Sequence, residues 1–201
     1  HNHMHIYPYI RKFLEYGKFL DTQISFQNVD PLPKISKSKD KKIKIGFLSA
    51  DLRGQHSITY FLRDILANYD KETFSIILIS NQDTNDETFK KLSEMVDESV
   101  NISSLTDIEA LKFLRNQKID ILVDIMGVTS EQRIELLNLR IAPIQMLWLG
   151  YCNTLGIKNM DYIIADKNLI YENEKKHYSE KVLFLPEIWN AHSGLTIKRK
   201  E

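Results

Sequence analysis

The stretch IKIGFLSADLRGQHSITYFLRDILANYDKETFSIILIS, residues 43–80, decides the fold. It opens on an apolar run from Ile43 to Ser49, crosses a polar loop ending at His56, and continues at helical spacing over 57–69. It then enters a second β-branched run, Phe74 to Ser80. Short, near-continuous apolar runs read as strands buried on both faces, and the amphipathic stretch between them reads as a helix that carries the chain from one strand to the next.

The pattern repeats along the chain. Further runs fall at Ile119 to Ile125, Ile144 to Leu149, Tyr162 to Ala165 and Val182 to Leu185, with helices fitting at 86–96, 106–117 and 130–139. Strands alternating with helices imply a mostly parallel sheet with right-handed crossovers and helices on both faces, a Rossmann-like α/β domain spanning 43–190. Upstream, Ile10, Phe13, Leu14, Phe19 and Leu20 give residues 8–20 the spacing of an amphipathic helix that belongs to a preceding element. Pro31 and Pro33, followed by lysines interleaved with serines, mark a solvated linker. The expected organisation is therefore a helix and Lys-rich linker over 1–42, the α/β domain, and a tail over 191–201.

Composition narrows the function classes. The 201 residues are 43% hydrophobic and 10% aromatic, enough for one sizeable core. Lys plus Arg (27) balance Asp plus Glu (27), so no global field favours nucleic acid or an anionic membrane. A single cysteine, Cys152, allows no internal disulfide and fits a reducing, cytoplasmic setting. No apolar run approaches the roughly 20 residues that span a bilayer, and no signal-peptide pattern opens the chain. The alternating His1, His3 and His5 read as a disordered or appended terminus rather than a metal site, and no metal is expected.

In a sheet of this kind ligands bind beyond the carboxyl ends of the strands, where strand order reverses. Three polar loops follow strands directly. The first, Ser49 to His56, carries Asp51 and Arg53 and leads into a helix that Ser57 could cap. His56 at that helix N-terminus is either a neutral imidazole able to accept a proton or a residue that helps cap the helix; spacing leaves both open. The second, Asp124 to Thr129 with Arg133 beyond it, has Gly127 for close backbone approach and Thr129 or Ser130 as a cap. It suits an anion or sugar hydroxyl, and equally an ordinary turn. The third, Trp148-Leu-Gly-Tyr-Cys-Asn-Thr-Leu-Gly156, has the glycines, aromatic and small polar residues of a sugar or phosphate cradle. Cys152 lacks an activating neighbour and reads as structural, and His177 lies on a charged, solvated face. G-x-G-x-x-G, Walker A, H-E-x-x-H and G-x-S-x-G patterns are absent, which removes the usual support for dehydrogenase, P-loop NTPase, zinc protease and serine hydrolase readings.

Several ordered blocks between about 43 and 190 resemble one family. Ile45-Gly-Phe-Leu-Ser-Ala-Asp-Leu-Arg53 with His56 and Tyr60-Phe61, Ala142-Pro-Ile-Gln-Met-Leu-Trp-Leu-Gly-Tyr-Cys-Asn-Thr-Leu-Gly156, Met160 to Asp166, and Tyr178-Ser-Glu-Lys181 look like the catalytic region of O-linked N-acetylglucosamine transferases. The resemblance implies the N-terminal lobe of a two-lobed, metal-independent GT-B glycosyltransferase, often preceded by tetratricopeptide repeats, so that residues 1–40 would be a junction after the repeats. It implies no cofactor, a UDP-sugar donor (UDP-GlcNAc favoured), a protein or peptide acceptor with Ser/Thr hydroxyls, and a second lobe of the same chain. That lobe would follow Pro186 and make most contacts to the uridine diphosphate, so the isolated lobe is expected to be inactive.

By motif, His56 matches a cleft histidine, either general base or positioning group. Leu149 and Gly150, with Tyr151 and Thr154 nearby, match the loop lining the sugar end of the donor site, while Asp51, Arg53, Gly127, Thr129 and Arg133 match cleft-edge or loop-shaping positions. Three departures stand out: His56 lies one residue further from Asp51, Val128 replaces a polar residue, and Cys152-Asn153 replaces Pro-Gly. They leave room for a degenerate, non-catalytic protein-binding module on the same scaffold. An unrelated flavodoxin-like domain with Asp51 as its acidic site would require the resemblance to be chance.

Overall fold

The structure is a computed structural model and describes residues 7–23, 32, 41–54, 56–82, 86–129 and 131–190. The terminal histidines, most of the Lys-rich linker, Gln55, Ser130 and the tail 191–201 lie outside the described residues.

Seven strands, β1 Ile43–Ser49, β2 Phe74–Ser80, β3 Glu98–Asn101, β4 Ile121–Asp124, β5 Ile144–Leu147, β6 Tyr162–Ala165 and β7 Lys181–Phe184, form one sheet in the order β3-β2-β1-β4-β5-β6-β7. Every pairing is parallel. Among the described residues five helices accompany them: α1 Tyr7–Gln23, α2 Ser57–Asn68, α3 Glu87–Ser93, α4 Asp107–Asn116 and α5 Ile134–Asn138. A 3-10 turn, Glu172–His177, precedes β7.

The apolar runs are continuous because both faces of the sheet are covered. Successive side chains of a strand point to opposite faces. Leu48, Ile77, Ile79, Leu122 and Leu147 enter one core with Ala110, Leu111 and Leu114 of α4 and Leu136 and Leu137 of α5. Phe47, Ile76, Leu78 and Val123 enter the other with Ile58, Leu62 and Leu66 of α2 and Leu92 of α3. Each fully buried leucine contributes about 1.5–3 kcal/mol of transfer free energy. At the amino end of α4, Thr106 and Glu109 cap each other's backbone N–H groups.

Three local expectations are corrected. β3, Glu-Ser-Val-Asn, offers Val100 as its one apolar side chain, too little for an apolar run, because it is an edge strand held by backbone pairing to β2. The helix expected over 130–139 is only 134–138, since Glu131 sits at φ 62 and Arg133 at φ −125, ψ 53, both outside the helical region. Thr129 does not cap it; its hydroxyl donates to Met126 O (3.2 Å), and the Gln132 side chain accepts from Ile134 N (2.8 Å) instead.

Helix α1 shares the core of the sheet domain. Ile10 and Leu20 are buried, Tyr16 donates to Glu135 (2.5 Å), and Asn138 donates to Asp21 (3.2 Å). Gly17 lets the helix backbone meet that of Gly156: a Cβ there would stand 1.9 Å from the Gly156 carbonyl oxygen.

Candidate functional site

Strand order reverses between β1 and β4, and pairing registers Leu48 with Asp124 and Asp124 with Leu147. The loops leaving β1, β4 and β5 therefore start at one level and enclose a cleft of about 580 Å³. Asp51, Arg53, His56, Thr129, Leu149 and Gly150 line it, six of the positions proposed from sequence.

The β1 loop is pinned by backbone donors. Ala50 N donates to the Met126 sulfur (2.9 Å), Asp51 N to Ser49 Oγ (2.9 Å), and Gly54 N to Asp86 Oδ1 (3.0 Å). The Gly54 N–H, with that of Thr88, holds the Asp86 carboxyl below its ordinary pKa despite some burial. Within the loop the Asp51 carboxylate is mostly covered, with Arg53 Nη2 3.8 Å and His56 Nε2 3.7 Å away. His56, not Ser57, is the N-cap of α2: its Nδ1 accepts from Ile58 N at 3.3 Å, and its carbonyl accepts from Thr59. The imidazole is 40% exposed, and its remaining ring nitrogen is Nε2.

Beyond β4, the fully buried Asp124 accepts from Met126 N (3.2 Å) and Gly127 N (2.9 Å), and desolvation raises its pKa to about 7. For a carboxyl raised in the folded state, the native protein holds the proton more tightly than the unfolded chain. Stability from this group is thus intact below about pH 4 and is lost as pH rises to about 7, by up to a few kcal/mol. Asp124→Asn is expected to be less stable than wild type at pH 5, having lost one acceptor, yet to show a flatter stability profile between pH 5 and 8. Urea unfolding across that range measures it, and parallel profiles would remove Asp124 as the titrating group. Gly127, at φ 62, leaves room for Tyr151, whose Cβ would lie 2.3 Å from an added Cβ. Val128 packs against the core.

The β5 loop begins with Leu149 at φ 75, a left-handed conformation costly for a leucine. Gly150 then runs against β4: an added Cβ would be 2.1 Å from Ile125 O. The other two positions proposed in this loop lie off the cleft. Tyr151 meets Phe13 of α1 edge-on, with ring centroids 6.1 Å apart. Thr154 is fully buried and donates to Glu180 Oε2 at 2.7 Å. Arg133 is also structural, reaching Asp107, Asn81 and the Leu105 carbonyl.

Sequence reasoning missed Trp189 and Asn190 as cleft residues. Trp189 is fixed by its N–H to Asp166 (2.9 Å) and by its carbonyl, which accepts from Trp148 Nε1 (2.7 Å). Cys152 also lines the cleft, and burial pushes its thiol pKa up. Among the described residues no three His, Cys, Asp or Glu side chains gather as a metal-binding group, and no helix is long and apolar enough to cross a membrane.

A parallel doubly wound sheet with a polar cleft at its switch point defines a Rossmann-like α/β fold. Residues 22–193 match glycosyl transferase family 41, and the chain belongs to that family. It is 28% identical over 184 residues to SPINDLY of Oryza sativa subsp. japonica, described as a probable UDP-N-acetylglucosamine peptide N-acetylglucosaminyltransferase, covering 89% of this chain and 19% of that protein. A UDP-N-acetylglucosamine peptide N-acetylglucosaminyltransferase of Caenorhabditis elegans is 31% identical over 160 residues, 76% of this chain and 13% of the relative. The solved structure of a Thermobaculum terrenum O-GlcNAc transferase mutant superposes with a TM-score of 0.80 at 26% identity, over 90% of this chain and 34% of that one. The chain thus spans a fifth or less of these curated relatives.

Proposed function

We propose that this chain is the N-terminal part of the catalytic region of an enzyme that transfers a sugar, N-acetylglucosamine by preference, from a uridine diphosphate donor to protein Ser/Thr hydroxyls. The observation that carries the reading is the convergence of Asp51, Arg53, His56, Thr129, Leu149 and Gly150 on one switch-point cleft in a family 41 chain. The names of the relatives support the donor and the acceptor class. The second lobe expected from the resemblance would hold most of the diphosphate, so these 201 residues alone are proposed to be inactive.

The cap on α2 bears on the role of His56. An imidazole nitrogen that accepts from Ile58 N–H has its lone pair engaged, so in the neutral ring the proton sits on Nε2. His56 then offers the cleft an N–H donor. To take a proton from an acceptor hydroxyl it would have to release the helix cap. Of base and positioning group, the second is the role this geometry supports: Nε2–H orients an oxygen of donor or acceptor, with Asp51 Oδ1 3.7 Å away.

Uridine diphosphate release from UDP-GlcNAc by the full-length protein, with an acceptor protein mixture, tests the activity. Release above the buffer rate is expected. No release from any uridine-linked sugar would replace the enzyme by a binding module on the same scaffold.

A further inference from the structure

Three consecutive residues just before β7 all bond to the loop that follows β5. Tyr178 donates its hydroxyl to Cys152 O at 3.1 Å. Ser179 Oγ lies 2.9 Å from Thr154 Oγ1. Glu180 accepts from Thr154 Oγ1 at 2.7 Å through one oxygen and from Leu155 N at 2.8 Å through the other. Thr154 Oγ1 in turn accepts from Gly156 N at 3.0 Å. Ser179 N also donates to Thr154 Oγ1, at 3.3 Å.

Glu180 is 3% exposed, and burial raises its pKa. A buried carboxylate with no paired cation among the described residues is costly, and an apolar side chain of similar size would fill the space at less cost. What an apolar side chain lacks is acceptors. The segment from Gly150 to Lys158 contains no strand or helix, so its polar groups need partners from elsewhere. The same loop supplies Leu149, Gly150 and Cys152 to the cleft wall.

We propose that Glu180 is a positioning residue for the cleft, which through Thr154 and Leu155 fixes the loop 149–156 in the shape that receives the sugar end of the donor. The proposal rests on the glycosyltransferase reading for what the loop contacts, and on the bonds alone for how the loop is held. Thr154, proposed from sequence as a cleft residue, acts from behind the wall.

The experiment uses the full-length protein with Thr154→Val, Thr154→Ser, Glu180→Gln and the Thr154→Val/Glu180→Gln pair. It reads kcat and KM for UDP-GlcNAc, and hydrogen exchange at the amides of Gly150, Leu155 and Gly156. Thr154→Val keeps the side-chain volume and removes the hydroxyl. It is expected to raise donor KM roughly 10- to 100-fold, the scale of a small misplacement of binding groups, with kcat within about threefold. Thr154→Ser restores KM, the double variant is no worse than the more damaged of the two single variants, and exchange quickens at all three amides in Thr154→Val. Unchanged KM with a lowered melting temperature would make the network merely structural and overturn the proposal. If the wild type turns over no UDP-sugar, the functional reading fails, and exchange alone decides: faster exchange at Gly150 in Thr154→Val supports the hold of Glu180 and Thr154 on the loop, unchanged exchange there overturns it.

Discussion

His56→Ala in the full-length protein is expected to lower sugar transfer roughly 100-fold or more, the scale for losing an N–H donor that holds an oxygen of donor or acceptor in place. The same substitution removes the cap on α2, which costs about 1 kcal/mol, so a loss of rate could come from the helix rather than from the imidazole. Asparagine separates the two. It is among the best N-cap residues and restores an acceptor for Ile58 N–H, but it is too short to place a donor where Nε2 stands. His56→Asn should match wild type in urea unfolding and match His56→Ala in turnover. An asparagine variant within threefold of wild-type turnover would reduce His56 to a helix cap.

Much of the fold was legible because burial on two faces leaves a local mark. β1, β2 and β6 run over the residues that their apolar runs indicated, 43–49, 74–80 and 162–165. β3 left no such mark: Glu98, Ser99 and Asn101 are exposed, and backbone bonding to β2 places them, which any side chain permits. α5 was overextended because its start is set by Arg133, whose guanidinium is drawn to Asp107 and Asn81, 26 and 52 residues away. Spacing along the chain carries no trace of such partners.

The cleft shows the same division. That the loops after β1, β4 and β5 converge follows from strand order and the carboxyl-end rule, and six of the proposed residues meet there. Which side of a loop faces the cleft does not follow. Tyr151 goes to α1 because Gly127 leaves space for it beside Phe13, and Thr154 goes inward because Glu180 accepts its proton. Trp189 enters the cleft through Asp166 and Trp148, neither adjacent in sequence.

Gly150→Ala is the second large effect. The added methyl would lie 2.1 Å from Ile125 O and 2.8 Å from Met126 Cα, both backbone atoms of the segment leaving β4. That segment is held by Ile125 N to Leu48 O (3.0 Å) and by the two N–H groups that Asp124 accepts, so it has little room to give. Leu149 before it already occupies a left-handed conformation, so the turn has no relaxed alternative at hand. Overpacking of this kind is expected to lower stability by about 3 kcal/mol. Gly54→Ala is the control: Gly54 also lies on a cleft loop and has φ 48, but an added Cβ there meets nothing within 4 Å. Only the left-handed backbone opposes that alanine, at about 1–2 kcal/mol. Urea unfolding of the two variants should therefore place Gly150→Ala well below Gly54→Ala. Equal losses would mean that the approach of the β5 loop to β4 is loose, and that the wall formed by Leu149 and Gly150 is set by backbone conformation alone.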